Sequence, residues 1–164
     1  MWSHYAASHK GIVVGFDANH PFFTRSNDFQ PVEYSKRRIS LSSNDGYLRL
    51  AGKPLQSGSD FRDLADQLFL RKHPDWKYEE EWRMIKRLDR ATRVCPTDPS
   101  VFLFEIPKEA IKLVILGAQI SIRNRERVIS LIASLAKRGH IRLLQASLSD
   151  SRFGLEFSEI KKTA

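Results

Sequence analysis

The stretch KLVILG at residues 112–117 predicts a buried β-strand that stops at Gly117. Ser121 follows shortly and is placed to cap a helix, because a short side-chain oxygen can accept a free backbone N–H group of the first helical turn. The apolar face expected for this helix consists of Val128, Leu131, Ile132 and Leu135. Residues 141–144 and 153–157 are predicted to form closing strands.

The N-terminal part of the chain also mixes strand and helix patterns. Residues 11–16 (GIVVGF) are rich in β-branched residues and predict a buried strand. Residues 61–69 place apolar side chains at the spacing of a helix face, and Ser59 or Asp60 can cap that helix. Residues 40–59 are rich in serine and glycine and show little periodicity, so we expect them to be a loop and the most mobile part of the chain.

Length and composition favour one globular domain. The chain has 164 residues, of which 41% are apolar and 28% are charged. One domain over residues 1–164 is therefore the expectation. Predicted strands, which include residues 82–87 and 101–106, outnumber helices and do not alternate with them strictly. The expected fold class is α+β, with a mixed, mostly antiparallel sheet and two main helices.

Charge and cysteine content restrict the partners and the compartment. The formal net charge of +8 favours an anionic ligand or a nucleotide as partner, and nucleic acid is a further candidate. The chain has no run of eighteen apolar residues, so we expect no membrane partner. The N-terminus lacks a secretory signal, and the single cysteine, Cys95, excludes an internal disulfide. These features predict a cytoplasmic location. The sequence does not determine the oligomeric state.

Two distinctive segments carry a family resemblance. The first is Trp-Ser-His-Tyr-Ala at residues 2–6, followed by His9 and Gly11. The second begins at Lys72 and ends with Trp-x-Tyr-Glu-x-Glu-Trp-Arg at residues 76–83. In order and spacing they resemble the two signature blocks of a bacterial family called domain of unknown function 2971, over residues 2 to about 150. Members of this family carry a further N-terminal segment, so the resemblance implies that this chain corresponds to the C-terminal two-thirds of a longer domain.

The first block offers several polar side chains. His4 and His9 are five residues apart and point to different sides of either a helix or a strand, so we predict no shared metal site. One interpretation is a pocket for a polar ligand, with His4 as a candidate catalytic group. The ligand-binding residues expected there are Ser3, Tyr5, His9 and Asp17. The alternative is that the aromatic residues of the block are core and the histidines satisfy backbone groups.

The second block contains paired carboxylates. If residues 78–85 form a strand, Glu79, Glu81 and Arg83 share one face, with the two carboxylates about 7 Å apart. Arg83 would then favour the ionised form of Glu81. Lys72 and Tyr78 are further candidate ligand-binding residues. The alternative is a structural ion pair between Glu81 and Arg83, with the two tryptophans of the block as core.

The Glu79-x-Glu81 pair and residues 102–107 are together similar to the C-terminal half of the ADP-ribosyltransferase fold. This resemblance implies an NAD-consuming enzyme in which Glu81 stabilises positive charge on the ribose and Glu79 orients the nucleophile. NAD would be its substrate, and no other cofactor is implied. Tyr78 would line the pocket together with His4 and Tyr5.

Two other functions stay open. The first is a binding module for nucleic acid or an acidic partner, built on the arginines of residues 37–38 and 123–127. Aromatic residues are not interleaved with these basic groups in the sequence, as a base-stacking platform would require. The second is a non-catalytic interaction domain in which both blocks are core.

Overall fold

The computed structural model describes residues 7–25, 29–44, 47–50, 53–135 and 140–160. The chain divides into two compact units. One contains residues 1–24 and 105–164, and the other contains residues 25–104. Because two units can still fold together, this division does not test the expected single domain over residues 1–164, which stays a prediction.

The described elements follow in chain order. The strands are β1 Ile12–Phe16, β2 Phe29–Pro31, β3 Glu33–Tyr34, β4 Leu41–Asn44, β5 Tyr47–Leu50, β6 Lys53–Pro54, β7 Arg71–Lys72, β8 Trp82–Met84, β9 Arg93–Cys95, β10 Asp98–Leu103, β11 Ile111–Leu116, β12 Arg142–Leu148 and β13 Leu155–Glu159. The α-helices are α1 Pro21–Thr24, α2 Gly58–Phe69 and α3 Ile122–Leu135. Short 3₁₀ helices occupy Pro74–Glu79, Leu88–Arg90 and Lys108–Ala110.

The largest sheet lies in the first unit and has the strand order β1-β11-β12-β13. β11 and β12 are parallel, and the outer strands β1 and β13 pair antiparallel with them. A parallel pair needs a crossover connection, and α3 lies in the connection between β11 and β12. The mixed, mostly antiparallel sheet confirms the expected α+β class, and the long helices α2 and α3 are the two that were predicted.

The core of the first unit forms between α3 and one face of this sheet. Val114 and Leu116 of β11 alternate towards that face, as the period of two requires. The buried cluster consists of Val114, Leu116, Ile132, Ile141 and Leu143. Ser121 caps α3 as expected, because its hydroxyl accepts a hydrogen bond from the backbone N–H of Asn124 at 3.3 Å.

β1 is an edge strand and is less buried than its composition predicted. It pairs only with β11 among the described strands, and Ile12 and Phe16 remain 40% and 42% exposed. The expectation of a buried strand at residues 11–16 was therefore right for the strand and wrong for its burial. A β-branched run fits a pleated surface without showing how many strands will cover it.

Gly117, directly after β11, lies against the turn that precedes β1. Its backbone N–H donates to the carbonyl of Gly11 at 2.9 Å, and Gln119 donates in the same way to His9 at 2.9 Å. A Cβ atom on Gly117 would stand 2.8 Å from the Gly11 carbonyl oxygen and closer still to the backbone of His9. Glycine is therefore required here for close approach of two backbone segments.

In the second unit, α2 begins a few residues earlier than its apolar pattern suggested. Ser57 is the N-cap, since its hydroxyl accepts from the backbone N–H of Asp60 at 3.2 Å. The carboxylate of Asp60 accepts in return from the backbone N–H of Ser57 at 2.8 Å, which completes a capping box. The expectation that Ser59 or Asp60 caps the helix was wrong, because both lie inside the first turn.

Residues 40–59 contain more regular structure than expected. β4, β5 and β6 form an antiparallel sheet, with Leu41 opposite Leu50 and Arg49 opposite Pro54. The loop assignment was therefore wrong for these strands. Serine-rich strands pair through their backbones and give little apolar periodicity, which explains the missed pattern. The expectation that this segment is the most mobile part of the chain stays a prediction.

Three further strand pairs build the second unit. β2 pairs antiparallel with β8, β9 pairs antiparallel with β10, and β3 pairs parallel with β7. The strand expected at residues 82–87 is confirmed over Trp82–Met84, and the strand expected at 101–106 is shifted to Asp98–Leu103. Within the described part of the chain, no helix has the length and apolar character needed to cross a membrane.

Gly117→Ala should destabilise the protein by about 1–3 kcal/mol, because the added methyl group must displace backbone atoms that lie closer than normal contact. The free energy of unfolding from urea denaturation measures this effect. Gly154→Ala is the matched control, since a Cβ atom there meets nothing within 4 Å. Equal stability of the two variants would contradict the close approach at Gly117.

Candidate functional site

The second sequence block winds around one lysine in the second unit. Lys72 ends β7, and the 3₁₀ helix Pro74–Glu79 follows directly. His73 caps that helix through its ring nitrogen, which accepts from the Asp75 backbone N–H at 3.4 Å. Glu80 then adopts a left-handed conformation, with φ 46° and ψ 47°, and reverses the chain before β8. This reversal brings the glutamates on both sides of Glu80 back to Lys72.

The resulting ion network joins two cations and two carboxylates. The Lys72 ammonium donates to the carboxylate of Glu79 and, at 3.1 Å, to Oε2 of Glu81. Glu81 also receives Arg83 in a bidentate pair, with Nε at 2.7 Å from Oε1 and Nη2 at 3.0 Å from Oε2. The third guanidinium nitrogen of Arg83 donates to the Phe69 carbonyl at 2.6 Å, at the end of α2.

The backbone of Glu81 is anchored as firmly as its side chain. Its N–H group donates to the Tyr34 hydroxyl at 2.8 Å, and its carbonyl accepts from the Val32 N–H at 2.9 Å. Tyr34 belongs to β3, which pairs with the strand that carries Lys72. Sequence analysis did not single out Tyr34, since nothing local links it to a residue 47 positions away.

Burial and charge pairing set the ionisation of this network. Glu79 is only 8% exposed and is the one buried charged residue in the described part of the chain. The hydrogen bonds from Arg83, and then those from Lys72, hold the pKa of Glu81 below its usual value despite partial burial. The hydrogen bond to Glu79 raises the pKa of Lys72. Lys72 and Glu81 are therefore both charged at neutral pH.

The geometry corrects the expected strand over residues 78–85. Glu79 lies in a 3₁₀ helix and Glu81 in an extended link, so regular alternation starts only at Trp82. The two carboxylates therefore converge on one ammonium group instead of standing a strand repeat apart. The expected neighbourhood of Arg83 and Glu81, and its effect on the pKa of Glu81, are as predicted.

The aromatic residues of the block lie at the surface. Trp76, Tyr78 and Trp82 are 40%, 60% and 55% exposed, so the alternative of core tryptophans is wrong. The Lys72 ammonium lies 4.8 Å from the centroid of the Trp76 ring, and the Tyr78 ring lies 6.1 Å from that of Trp76. Trp82 stacks on Phe29 at 5.1 Å. We call Trp76 and Tyr78 the aromatic pair.

A cavity of about 430 Å³ opens beside Lys72, and we call it the basic cavity. It is lined by Ser35, Lys36, Arg37, Arg38, Ile39, Gln67, Leu68, Arg71, Lys72 and His73. None of these described lining residues carries a carboxylate, although five of them carry a full positive charge. The volume lies within the range of small-ligand pockets.

Some cations of the basic cavity already form ion pairs with carboxylates, and others do not among the described residues. Lys72 is shared by two glutamates, and Arg71 donates to Oε2 of Glu33 from Nη2 at 2.9 Å and from Nε at 3.3 Å. In contrast, no described carboxylate lies within ion-pair distance of the exposed residues 36–38. The excess positive charge of the cavity therefore comes from residues 36–38.

A second cavity, of about 680 Å³, borders the ion network at Glu81 and Arg83. Its lining residues are Phe69, Glu81, Arg83, Met84, Ile85, Lys86 and Leu88. Glu81 and Arg83 supply its paired charges, and most of the remaining wall is apolar. The ion network thus contributes Lys72 to the basic cavity and Glu81 to this second cavity.

Of the candidate residues from the first block, His9 and Asp17 lie among the described residues. Ser3, His4 and Tyr5 lie outside the described residues. His9 occupies a turn with φ 67°, and Asp17 follows β1, where its carboxylate lies 3.8 Å from the Lys112 ammonium. Both belong to the first unit, whereas the network belongs to the second. The described residues contain no group of metal-binding side chains.

The family model described as "Protein of unknown function (DUF2971)" matches residues 1–84, which is just over half of the 164-residue chain. The chain belongs to this family. The DUF2971 match includes the whole second block and ends at the last residue of β8, so the strand before Gly117 lies beyond it. The chain matches no curated protein. It also matches no solved structure. The ADP-ribosyltransferase resemblance stays a prediction.

Glu81→Gln should lower the free energy of unfolding at neutral pH by about 1–3 kcal/mol, because two partly buried cations lose a shared charge. The folded-state pKa of Glu81 lies below its ordinary value of 4.5, so the stability from its charge is present above that pH and is lost as pH falls through the folded pKa. Urea denaturation at neutral and acidic pH should show the difference from the unmodified protein shrinking on acidification.

Asp89→Asn is the control for Glu81→Gln, because Asp89 pairs with Arg87 in a comparable contact at 2.6 Å but at the surface. An exposed pair contributes little to stability, so this variant should unfold almost like the unmodified protein at neutral pH. If both variants lose the same free energy of unfolding, the network around Lys72 stabilises the protein no more than an exposed ion pair does.

Proposed function

We propose that this DUF2971 protein binds a phosphate-bearing ligand in the basic cavity. The observation that carries the proposal is the concentration of positive charge there, with five cationic side chains and no carboxylate among the described lining residues. The formal net charge of +8 supports the same class of ligand. A cationic concavity raises the local concentration of anions and strengthens their binding.

Residues 36–38 are the main phosphate-binding groups in this proposal. They follow β3 in a segment without regular secondary structure, and the Arg37 backbone N–H donates to the Ser35 hydroxyl at 3.2 Å, which orders the start of that segment. Arginine presents a planar fork of N–H groups that matches two phosphate oxygens. Because Arg71 and Lys72 already have carboxylate partners, they shape the wall and add less net charge.

The ion network supplies rigidity to this cavity. Lys72 is held from two sides by Glu79 and Glu81, and Glu81 is itself held by Arg83 and Tyr34. Binding energy is lost whenever a ligand must order flexible side chains, and a preorganised wall avoids part of that cost. Glu79 and Glu81 therefore act as positioning residues in the binding proposal.

The double variant Arg37→Glu/Arg38→Glu should lose at least tenfold in affinity for inorganic pyrophosphate, because it replaces two cavity cations that have no carboxylate partner among the described residues by groups with the negative charge of the ligand. Isothermal titration calorimetry with the purified chain and pyrophosphate measures the change. Affinity should also fall with added salt, since the interaction is electrostatic and partly exposed.

Arg123→Glu/Arg127→Glu is the matched control, since it changes the net charge equally at two exposed residues of α3 in the other unit. It should keep the affinity of the unmodified protein. Equal loss in both double variants would show a nonspecific effect of net charge and would contradict the assignment to the basic cavity. Failure of the unmodified chain to bind pyrophosphate would contradict the proposed function itself.

An NAD-consuming reaction is the second candidate function. It is favoured by one observation: Glu81, whose carboxylate is ionised, lines the second cavity, and most of the other residues that line this cavity are apolar. A carboxylate in such surroundings can stabilise positive charge on a ribose. Arg83 and Lys72 compete for the same oxygens, which weakens this role. The pyrophosphate group of NAD would also suit the basic cavity.

The enzymatic candidate predicts that the purified chain releases nicotinamide from NAD and that Glu81→Gln abolishes the release while circular dichroism shows an intact fold. A chromatographic assay of free nicotinamide measures the reaction. Undetectable release from the folded, unmodified chain would reject the enzymatic candidate and leave the binding proposal unaffected.

A further inference from the structure

Lys72 connects the basic cavity to the aromatic pair. Lys72 lines the cavity, and its ammonium group lies 4.8 Å from the centroid of the Trp76 ring. The Tyr78 ring continues the aromatic surface, 6.1 Å from Trp76 and inclined to it by 33°. A positively charged residue of the cavity wall and exposed aromatic rings are thus neighbours in the folded second unit, whereas the cationic residues 36–38 lie far from these rings in the sequence.

We infer that the phosphate-bearing ligand is single-stranded nucleic acid, with a base stacked on the aromatic pair and its backbone in the basic cavity. This inference rests on the proposed function and specifies its ligand. Non-sequence-specific single-strand binders combine the same two features: a positively charged groove along the backbone and aromatic side chains on which bases stack.

The exposure of the aromatic pair supports this assignment. Tyr78 is 60% exposed and Trp76 is 40% exposed, which is unusual for large aromatic residues that only support a core. One face of Trp76 is near Lys72, so the pair combines a cation with an open ring surface. A nucleotide carries an aromatic base and an anionic phosphate on one ribose, and both parts therefore find a complementary partner here.

The form of the cationic segment favours a strand over a single nucleotide. Residues 36–38 are consecutive, exposed and outside regular secondary structure, and they line the cavity together with Arg71. A row of cations matches a chain of phosphates better than one phosphate group. Duplex nucleic acid keeps its bases stacked inside the helix, where the aromatic pair could not reach them, so an unpaired strand is the expected form.

The test uses the full chain and a fluorescein-labelled twelve-residue oligothymidylate, with affinity measured by fluorescence anisotropy. Tyr78→Ala should weaken binding about 5- to 150-fold, as expected for the loss of one base-stacking contact. Tyr78→Phe keeps the ring and should retain affinity. Phe153→Ala is the control for removing an exposed aromatic side chain, because Phe153 is fully exposed in the other unit.

The outcomes separate this inference from the proposed function. Unchanged pyrophosphate affinity in Tyr78→Ala, together with weakened oligonucleotide affinity, supports both. If Tyr78→Ala leaves the oligonucleotide affinity unchanged and Arg37→Glu/Arg38→Glu abolishes it, the stacking inference is overturned and the proposed anion site is supported. Equal affinity for a duplex, or for thymidine monophosphate, overturns the single-strand assignment. Absence of both pyrophosphate and oligonucleotide binding overturns the proposed function as well.

Discussion

The Lys72 ammonium group, shared between Glu79 and Glu81, is the contact on which the second unit depends. It fixes the start of the 3₁₀ helix relative to its end, and through Arg83 it also reaches the last carbonyl of α2. Removing one member of such a partly buried network leaves the opposite charge without compensation, which is costly. The network supplies lining residues to both cavities, and its lysine contacts the aromatic pair at Trp76.

The network also explains why a strained residue is tolerated at Glu80. A left-handed backbone conformation is unfavourable for a residue with a side chain, and it persists when surrounding contacts determine it. Here the contacts on both sides of Glu80 do so, since Glu79 and Glu81 are each bound to Lys72. The same reversal exposes Tyr78 and Trp82 rather than burying them. An arrangement that serves packing alone would be expected to bury these large rings.

The proposed phosphate binding depends on a difference between the cations of the ion network and those of residues 36–38. Carboxylates offset the cations of the network, whereas the exposed cations at residues 36–38 have no described carboxylate partner and face an open cavity. Neutralised charges give a rigid frame, and unpaired charges attract ligand. The proposed phosphate site and the inferred stacking surface use these two parts of the same unit, and the enzymatic candidate uses the second cavity, which Glu81 lines.

The sequence by itself determined the α+β class, the helices α2 and α3, the strand before Gly117 and membership of the DUF2971 family, because periodicity, capping residues and motif order are local properties. It also predicted that Arg83 lies beside Glu81, and it named Lys72 as a candidate ligand-binding residue. Only the tertiary structure decided that Glu79 and Glu81 converge on one ammonium, that Tyr34 holds Glu81, and that aromatic rings adjoin the basic cavity. These relations depend on a left-handed turn and on pairing between distant strands, neither of which a local pattern encodes.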